Sequence, residues 1–293
     1  MKKNPANFVP LTPISFLHRT ADVYGQHTSV IYENRTYTWS ESRERCIRIA
    51  SSLKSYGVMP GDTVSVLAFN TPEMFESHFS IPMAGAVLNT INIRLDAGTI
   101  AHILEDSKAK ILLVDRELFK LASEALSISA SNPKVVLIND EFAGSKPDIT
   151  EDAIEYETLV ENGDPTYKWQ KPDDEWQPIS LNYTSGTTGS PKGVVYHHRG
   201  SYLMSMGTVI GWELSNHPVY LYSVPMFHCN GWGHAWTMAA VAGTVVCLRA
   251  FTPEKVFDLL DTHKVTHFGG APIMLNMLAN APKEIQKTFD REI

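Results

Sequence analysis

Residues 183–195 read YTSGTTGSPKGVV, thirteen consecutive positions built almost entirely from glycine, small hydroxyl residues, one proline and one lysine. Glycine lets a backbone turn tightly and approach a ligand, and the hydroxyls and freed N–H groups then point at anionic oxygens. Lys192 adds a positive charge at the rim. The chemistry this composition suits is phosphate binding. It is not the P-loop, which requires Gly-Lys-Ser/Thr, because Pro191 precedes Lys192 and Gly193 follows it. Nor is it the dinucleotide fingerprint, which wants Gly-x-Gly and a helix directly after the strand. A glycine- and serine-rich surface hairpin is the plainer alternative, but ordinary turns need only roughly two to five such residues.

A second concentration of reactive side chains is PMFHCNGWGHAW, residues 225–236, which crowds His228, Cys229, Trp232, His234 and Trp236 together after an apolar run. In open α/β sheets ligands gather at the carboxyl ends of strands, which makes His228 the second candidate. For His234 and Trp236 ordinary packing is the favoured reading. A zinc site from His228, Cys229 and His234 lacks the usual ligand spacing. His197 and His198 follow the first motif, and on a strand only one of them would face it. The turn at 269–272, GGAP, opens a helix and offers N–H groups, although a tight strand-to-helix turn explains it as well. Arg94 reads equally as a surface charge. No Gly-x-Ser-x-Gly elbow surrounds Ser185, since Tyr183 stands in the first glycine's place, so a hydrolase triad has no support.

The elements that would position these residues alternate. Apolar runs at 179–183 and 194–196 flank the glycine-rich loop as two strands. Before them, strands at 63–69, 86–89, 111–114 and 135–138 alternate with helices at 72–84, 99–107 and 116–127, after a hairpin about Glu33-Asn34 and a helix capped by Thr38 and Glu41. The run VVLI at 135–138 has no polar alternation, as in a strand buried on both faces. Beyond the loop, helices are expected at 201–211, 231–241, 253–263 and 273–280, with strands at 219–224, 244–248 and 266–268 and one more helix starting at 281. Such alternation specifies an α/β fold with two mostly parallel sheets covered by helices.

The chain of 293 residues is 43% hydrophobic and 19% charged, which fits a globular protein, and its net charge of -7 argues against a general nucleic-acid surface. Cys46, Cys229 and Cys247 are scattered and odd in number, giving no disulfide framework. The amino-terminal residues lack a continuous apolar core, and the most apolar run, 236–248, is too short to span a bilayer. Neither a secreted nor a membrane-spanning protein is the expectation, and the resemblance set out next implies the cytoplasm or the peroxisome.

Residue for residue, 183–195 resembles the signature of the adenylate-forming, AMP-binding superfamily, which includes acyl-CoA synthetases, 4-coumarate ligases, luciferases and peptide-synthetase adenylation domains. With NTINIRLDAGTIAHILEDSKAKILLVD at 89–115, the chain looks most like plant-type acyl-activating enzymes for short- or medium-chain fatty acids or benzoate-like acids. The resemblance implies a carboxylate that attacks the α-phosphorus of ATP with Mg²⁺, followed by capture of the acyl adenylate by coenzyme A. It places Thr184, Ser185, Gly186, Thr187, Thr188, Gly189 and Lys192 around the β and γ phosphates. It sets Phe227 and His228 beside the reacting carboxylate, and Gly231 and Trp232 along the acid tunnel. His228 and Lys192 take the catalytic roles, and no side chain of this stretch is expected to ligate a metal. The carboxylate is already nucleophilic, so catalysis asks for charge neutralisation and positioning rather than a general base.

Two further motifs of these enzymes, Tyr-Gly-x-Thr-Glu and Thr-Gly-Asp, do not occur in the 293 residues, nor does the small carboxyl-terminal lid with its lysine. The expectation is an incomplete amino-terminal AMP-binding domain. It would divide into one α/β unit with its linker at about 1–165 and a second carrying the phosphate loop at about 175–293. Such a chain should be inactive alone and expose apolar surface. The alternative is a non-catalytic nucleotide-binding or regulatory remnant.

Overall fold

The computed structural model describes residues 1–147, 153–184 and 190–293. In chain order the elements are α1 (Ile14–Tyr24), β1 (Thr28–Tyr32), β2 (Arg35–Thr38), α2 (Trp39–Ser55), β3 (Thr63–Leu67), α3 (Pro72–Met83), β4 (Val87–Thr90), α4 (Ala97–Asp106), β5 (Ile111–Asp115), α5 (Phe119–Ile128) and β6 (Lys134–Ile138). There follow β7 (Ile154–Glu155), α6 (Tyr156–Asn162), β8 (Pro178–Tyr183), β9 (Gly193–His197), α7 (His198–Gly211), β10 (Val219–Tyr222), α8 (His234–Ala240), β11 (Thr244–Cys247), α9 (Pro253–Thr262), β12 (His267–Phe268) and α10 (Pro272–Ala279). The Thr38–Glu41 capping box forms with both of its bonds, and Thr252 caps α9 through the Lys255 N–H.

The strands make two mostly parallel sheets, as the alternation requires. One is seven-stranded in the order β7-β6-β5-β3-β4-β8-β9, and the other five-stranded in the order β12-β10-β11-β1-β2. The sheets do not follow the expected division of the chain. The amino-terminal hairpin β1–β2 joins the later strands through parallel pairing of β1 with β11, and β8 joins the earlier strands through parallel pairing with β4. Periodicity identifies a strand but not its neighbour, and here two crossovers interleave the halves. The helix expected from 281 is also absent. One turn forms at Pro282, and then Arg291 donates to the carbonyls of Leu260 and Val265, holding the segment against α9 as irregular chain.

Helix α3 lies between the sheets, packed on β1 of one and on β3 and β4 of the other, and all twelve of its residues are buried. Its two carboxylates are paired there: Glu73 with Arg35 at 2.6 Å, and Glu76 with Arg45 and the Tyr156 hydroxyl. A second charged junction sits at the carboxyl ends of the strands. Arg249, just after β11, reaches Asp115 at the end of β5 and Asp140 after β6, both at 2.7 Å, and Glu117 at 2.8 Å, while its guanidinium stacks over Phe69. Tyr32, at the end of β1, donates to the same Asp140. One cation thus fastens one sheet to the other. Removing it leaves Asp115 and Asp140 buried without a counter-charge, which costs about 3–5 kcal/mol for a broken buried pair.

Three histidines are buried as neutral rings. His78 is held by the Met74 carbonyl, His198 lies against Thr12, and His234 sits among aromatic rings. Burial pulls each down to about 4. In the unfolded chain a histidine titrates near 6.5, so as pH falls through that value the unfolded state takes up the protons first and gains on the folded one.

Two measurements check these readings. Arg249→Met should lower the urea midpoint by an amount equivalent to about 3–5 kcal/mol. Stability should be full above about pH 6.5 and decline steadily toward pH 4, with His78→Asn shallowing the decline. A midpoint independent of pH over that window would contradict the neutral burial of these rings.

Candidate active site

Strand β8 delivers the glycine-rich motif. It pairs antiparallel with β9 so that Tyr183 faces Gly193, and one step further the Thr184 N–H donates to the Lys192 carbonyl at 3.1 Å. Thr184 and Lys192, separated by seven residues, therefore stand side by side at the mouth of a hairpin loop. Ser185, Gly186, Thr187, Thr188 and Gly189 lie outside the described residues. The stem fits tightly: a Cβ on Gly193 would come within 2.8 Å of Leu181 Cδ1. Tyr183 anchors its side by donating to Asp106 Oδ2 at 2.6 Å, and burial together with that carboxylate pushes its phenol well up. The Lys192 side chain is exposed, and among the described residues it has no ion-pair partner.

The second motif leaves β10 of the other sheet, pinned at once by Asn70. That side chain donates to the carbonyls of Tyr222 and Val224 at 2.8 and 2.9 Å and accepts from the Met226 N–H at 2.8 Å. The helix expected from 231 begins only at His234. Before it, Cys229, Asn230, Gly231, Trp232 and Gly233 form a left-handed turn with φ between 45 and 69°. Glycine suits the turn at 231 and 233, where φ is 54 and 69°, and at 231 a Cβ would also stand 2.4 Å from the Tyr222 hydroxyl and 3.0 Å from Met226 Cα.

The two motifs are joined by amides. The Asn230 N–H donates to Asn182 Oδ1 at 3.1 Å, and Asn182 Nδ2 donates back to Asn230 Oδ1. Thr90, the last residue of β4, donates to the Phe227 carbonyl at 3.0 Å and lies 3.2 Å from the same Asn182 oxygen. Asn182 is the penultimate residue of β8, two before Thr184. The stem of the loop and the turn bearing His228 are therefore fixed to each other at the carboxyl ends of strands from both sheets.

Beside this junction opens a cleft of about 430 Å³, lined by Val195, Tyr196, His197, Gly200, Ser201, Met204, Cys229 and Trp232. Of the residues assigned to the acid, Trp232 is half exposed and lines the cleft, whereas Phe227 is buried beneath the turn and Gly231 backs onto Tyr222. His228 is exposed, one residue from the cleft-lining Cys229, whose Sγ lies 4.0 Å from His228 Nδ1. The histidine tandem is split by the start of α7. His197 lines the cleft and caps the helix, its Nδ1 accepting from the Gly200 N–H at 2.9 Å, while His198 turns inward to Thr12 at 2.9 Å.

His234 is enclosed by Trp212, Tyr220, Tyr222 and Trp232, and Trp236 is fully buried with its indole N–H on the His78 carbonyl at 3.0 Å. The zinc reading has no geometry, because His234 is buried among those rings and His228 and Cys229 are exposed. Arg94 is exposed away from this junction's hydrogen bonds, and the turn at 269–272 receives the Ser223 hydroxyl at the Gly269 carbonyl. Sequence reasoning passed over Asn70, Asn182 and Asn230. Asn70 and Asn182 carried one signal, an asparagine ending or interrupting an apolar run in LAFN and SLNY, whereas Asn230 in HCNG carried none.

Against known proteins, the family model described as AMP-binding enzyme matches residues 17–292. The chain is 48% identical over 287 residues to a 2-methylpropanoate–CoA ligase of Humulus lupulus, covering 96% of this chain and 52% of that protein. It is also 48% identical over 295 residues to a peroxisomal trans-cinnamate:CoA ligase of Petunia hybrida, again covering 96% of this chain and 52% of that one. Its fold is similar to the crystal structure of a long-chain-fatty-acid–CoA ligase from Archaeoglobus fulgidus, with a TM-score of 0.85 and 22% identity over 97% of this chain and 56% of that one. The chain spans about half the length of the curated relatives it matches. A family model that matches residues 17–292 makes this chain a member of the AMP-binding enzyme family.

Proposed function

We propose that this chain forms the nucleotide- and acid-binding part of an acid–thiol ligase, which activates a carboxylic acid with ATP as an acyl adenylate and passes the acyl group to coenzyme A. The observation that carries the reading is the junction itself: a hydroxyl- and glycine-rich hairpin tied by paired asparagine amides to the turn that bears His228.

The residues suit an ATP tail. Thr184 and Lys192 flank the loop mouth, and the exposed ammonium of Lys192, without an ion-pair partner among the described residues, is where outer phosphates would supply a counter-charge. Ser185 to Gly189 complete the proposed cradle. Mg²⁺ would arrive on the nucleotide, neutralising phosphate charge; no group of three or more His, Cys, Asp or Glu side chains converges among the described residues. His228, exposed and next in sequence to the cleft-lining Cys229, would meet the carboxylate in this reading. The bonds of Asn70, Thr90 and Asn182 would hold the turn still while the acid is oriented, which is the kind of positioning that lowers a barrier without proton transfer.

The acid belongs in the cleft beside Trp232. Its mainly apolar lining and its volume of about 430 Å³ favour a short- or medium-chain fatty or benzoate-like acid. The relatives' names span that range, from 2-methylpropanoate to trans-cinnamate. One of them is peroxisomal, and we place this protein in the peroxisome or cytoplasm; among the described residues no helix is long and apolar enough to cross a membrane.

Calorimetric titration of the chain with Mg-ATP should show weak binding that Lys192→Ala reduces about ten- to a hundredfold, since losing one charge-assisted contact is worth roughly 1.5–3 kcal/mol. No binding by the wild-type chain contradicts the reading. Acid-dependent pyrophosphate exchange should be undetectable with this chain alone, and its detection would show that these residues suffice for adenylation.

A further inference from the structure

The turn bearing His228 leaves the carboxyl end of β10, and the opposite end of the same sheet carries a second group of histidines. Strands β10, β11 and β1 are adjacent and parallel, so the loops that enter them lie side by side. His217 stands two residues before β10, Ala242 two before β11, and His27 directly before β1. Sheet order thus brings together three loops that are distant in sequence.

Two imidazoles meet there. His27 Nδ1 and His217 Nδ1 are 3.3 Å apart, and the Ala242 carbonyl oxygen lies 3.1 Å from the same His217 nitrogen. The Tyr24 ring packs against both, with centroids 5.2 Å from His27 and 4.7 Å from His217. Backbone bonds fix the loops: the His27 N–H donates to the Tyr24 carbonyl at 2.9 Å, the His27 carbonyl accepts from the Trp39 N–H at 3.0 Å, and the His217 N–H donates to the Val241 carbonyl at 3.0 Å. His217 and Ala242 are left-handed, with φ of 59 and 50°, a conformation that a residue with a Cβ keeps only where its surroundings impose it. Both histidines are exposed, so an ion from solvent can reach them.

A neutral imidazole has one proton for its two nitrogens. A proton on His217 Nδ1 faces two acceptors, the carbonyl and His27 Nδ1, whereas a cation between the nitrogens engages both lone pairs and moves each ring's proton to Nε2. The separation selects the cation. Two nitrogens about 2.0–2.1 Å from a tetrahedral Zn²⁺ stand roughly 3.3–3.4 Å apart, while neighbouring positions on a square-planar ion would bring them to about 2.9 Å.

We propose that His27 and His217 form a zinc-binding clamp at the amino ends of β1 and β10, with the Ala242 carbonyl alongside and water in the remaining positions. Two imidazoles hold zinc less tightly than the four ligands of a closed structural site, so the ion exchanges with solvent. The clamp joins residues 190 apart in sequence, which the unfolded chain does not keep together, and zinc therefore favours the folded state.

The test involves neither nucleotide nor acid, so it stands or falls separately from the proposed activity. The 293-residue chain is stripped with EDTA and dialysed against zinc chloride; bound zinc is then counted by mass spectrometry and the melting temperature read. One zinc per chain is expected, and at about ten times the dissociation constant it should raise the melting temperature by roughly 2–4 °C. His27→Gln and His217→Gln should each weaken zinc retention at least tenfold while leaving the melting temperature of the metal-free chain nearly unchanged, because both side chains are exposed. A wild-type chain that retains no zinc overturns the proposal. So does a double variant that retains zinc as the wild type does, which would place the ion elsewhere.

Discussion

A strand of one sheet and the turn leaving the other meet in a pair of asparagine amides, and the candidate site depends on that meeting. Asn182 accepts from the Asn230 N–H and donates back to its side chain, deep enough that both residues are buried. A left-handed turn leaves successive N–H groups without helical partners, and a buried N–H with none costs about 1–3 kcal/mol. Asn182 removes that cost for one of them, while Thr90 holds the Phe227 carbonyl and Asn70 holds the segment before it. The hairpin loop and the His228 turn thus share one rigid base, although 48 residues separate the two asparagines.

Charged groups recur where the sheets come together, in ion pairs that offset part of the cost of burial. Arg249 gathers Asp115, Asp140 and Glu117 at the carboxyl ends, and Arg35 and Arg45 neutralise the two carboxylates of α3. Such pairs add less net stability than their short distances suggest, because desolvation opposes attraction. Their value lies in register. An apolar interface between two sheets tolerates sliding, whereas a cation with three carboxylates from one sheet and its own place on the other accepts a single alignment. That alignment brings Asn182 opposite Asn230.

Much of this was legible in the sequence. The parallel strands, the Thr38–Glu41 box, the glycine-rich loop between two strands and the resemblance carried by 183–195 all rest on local patterns, which local reading detects. What it missed was non-local. Pairing of β1 with β11 and of β4 with β8 follows from crossovers that no periodicity reports. The helix read from Gly231 gave way to a left-handed turn with positive φ from Cys229 to Gly233, held by the buried contact of Asn230 with Asn182, a tertiary partner that helical spacing does not report. His197 and His198 were read on a strand, where they would alternate faces; the helix beginning at His198 separates them instead, one to the cleft and one to the core.

The coupling of loop and turn is tested most directly by a double-mutant cycle on Asn182→Ala and Asn230→Ala, with urea stability and Mg-ATP affinity read for the four proteins. If the two amides hold the site together, each single change lowers nucleotide affinity, the double change lowers it little further, and the coupling energy in stability exceeds about 1 kcal/mol. Additive losses, or a folded Asn182→Ala chain that binds Mg-ATP as the wild type does, would contradict it.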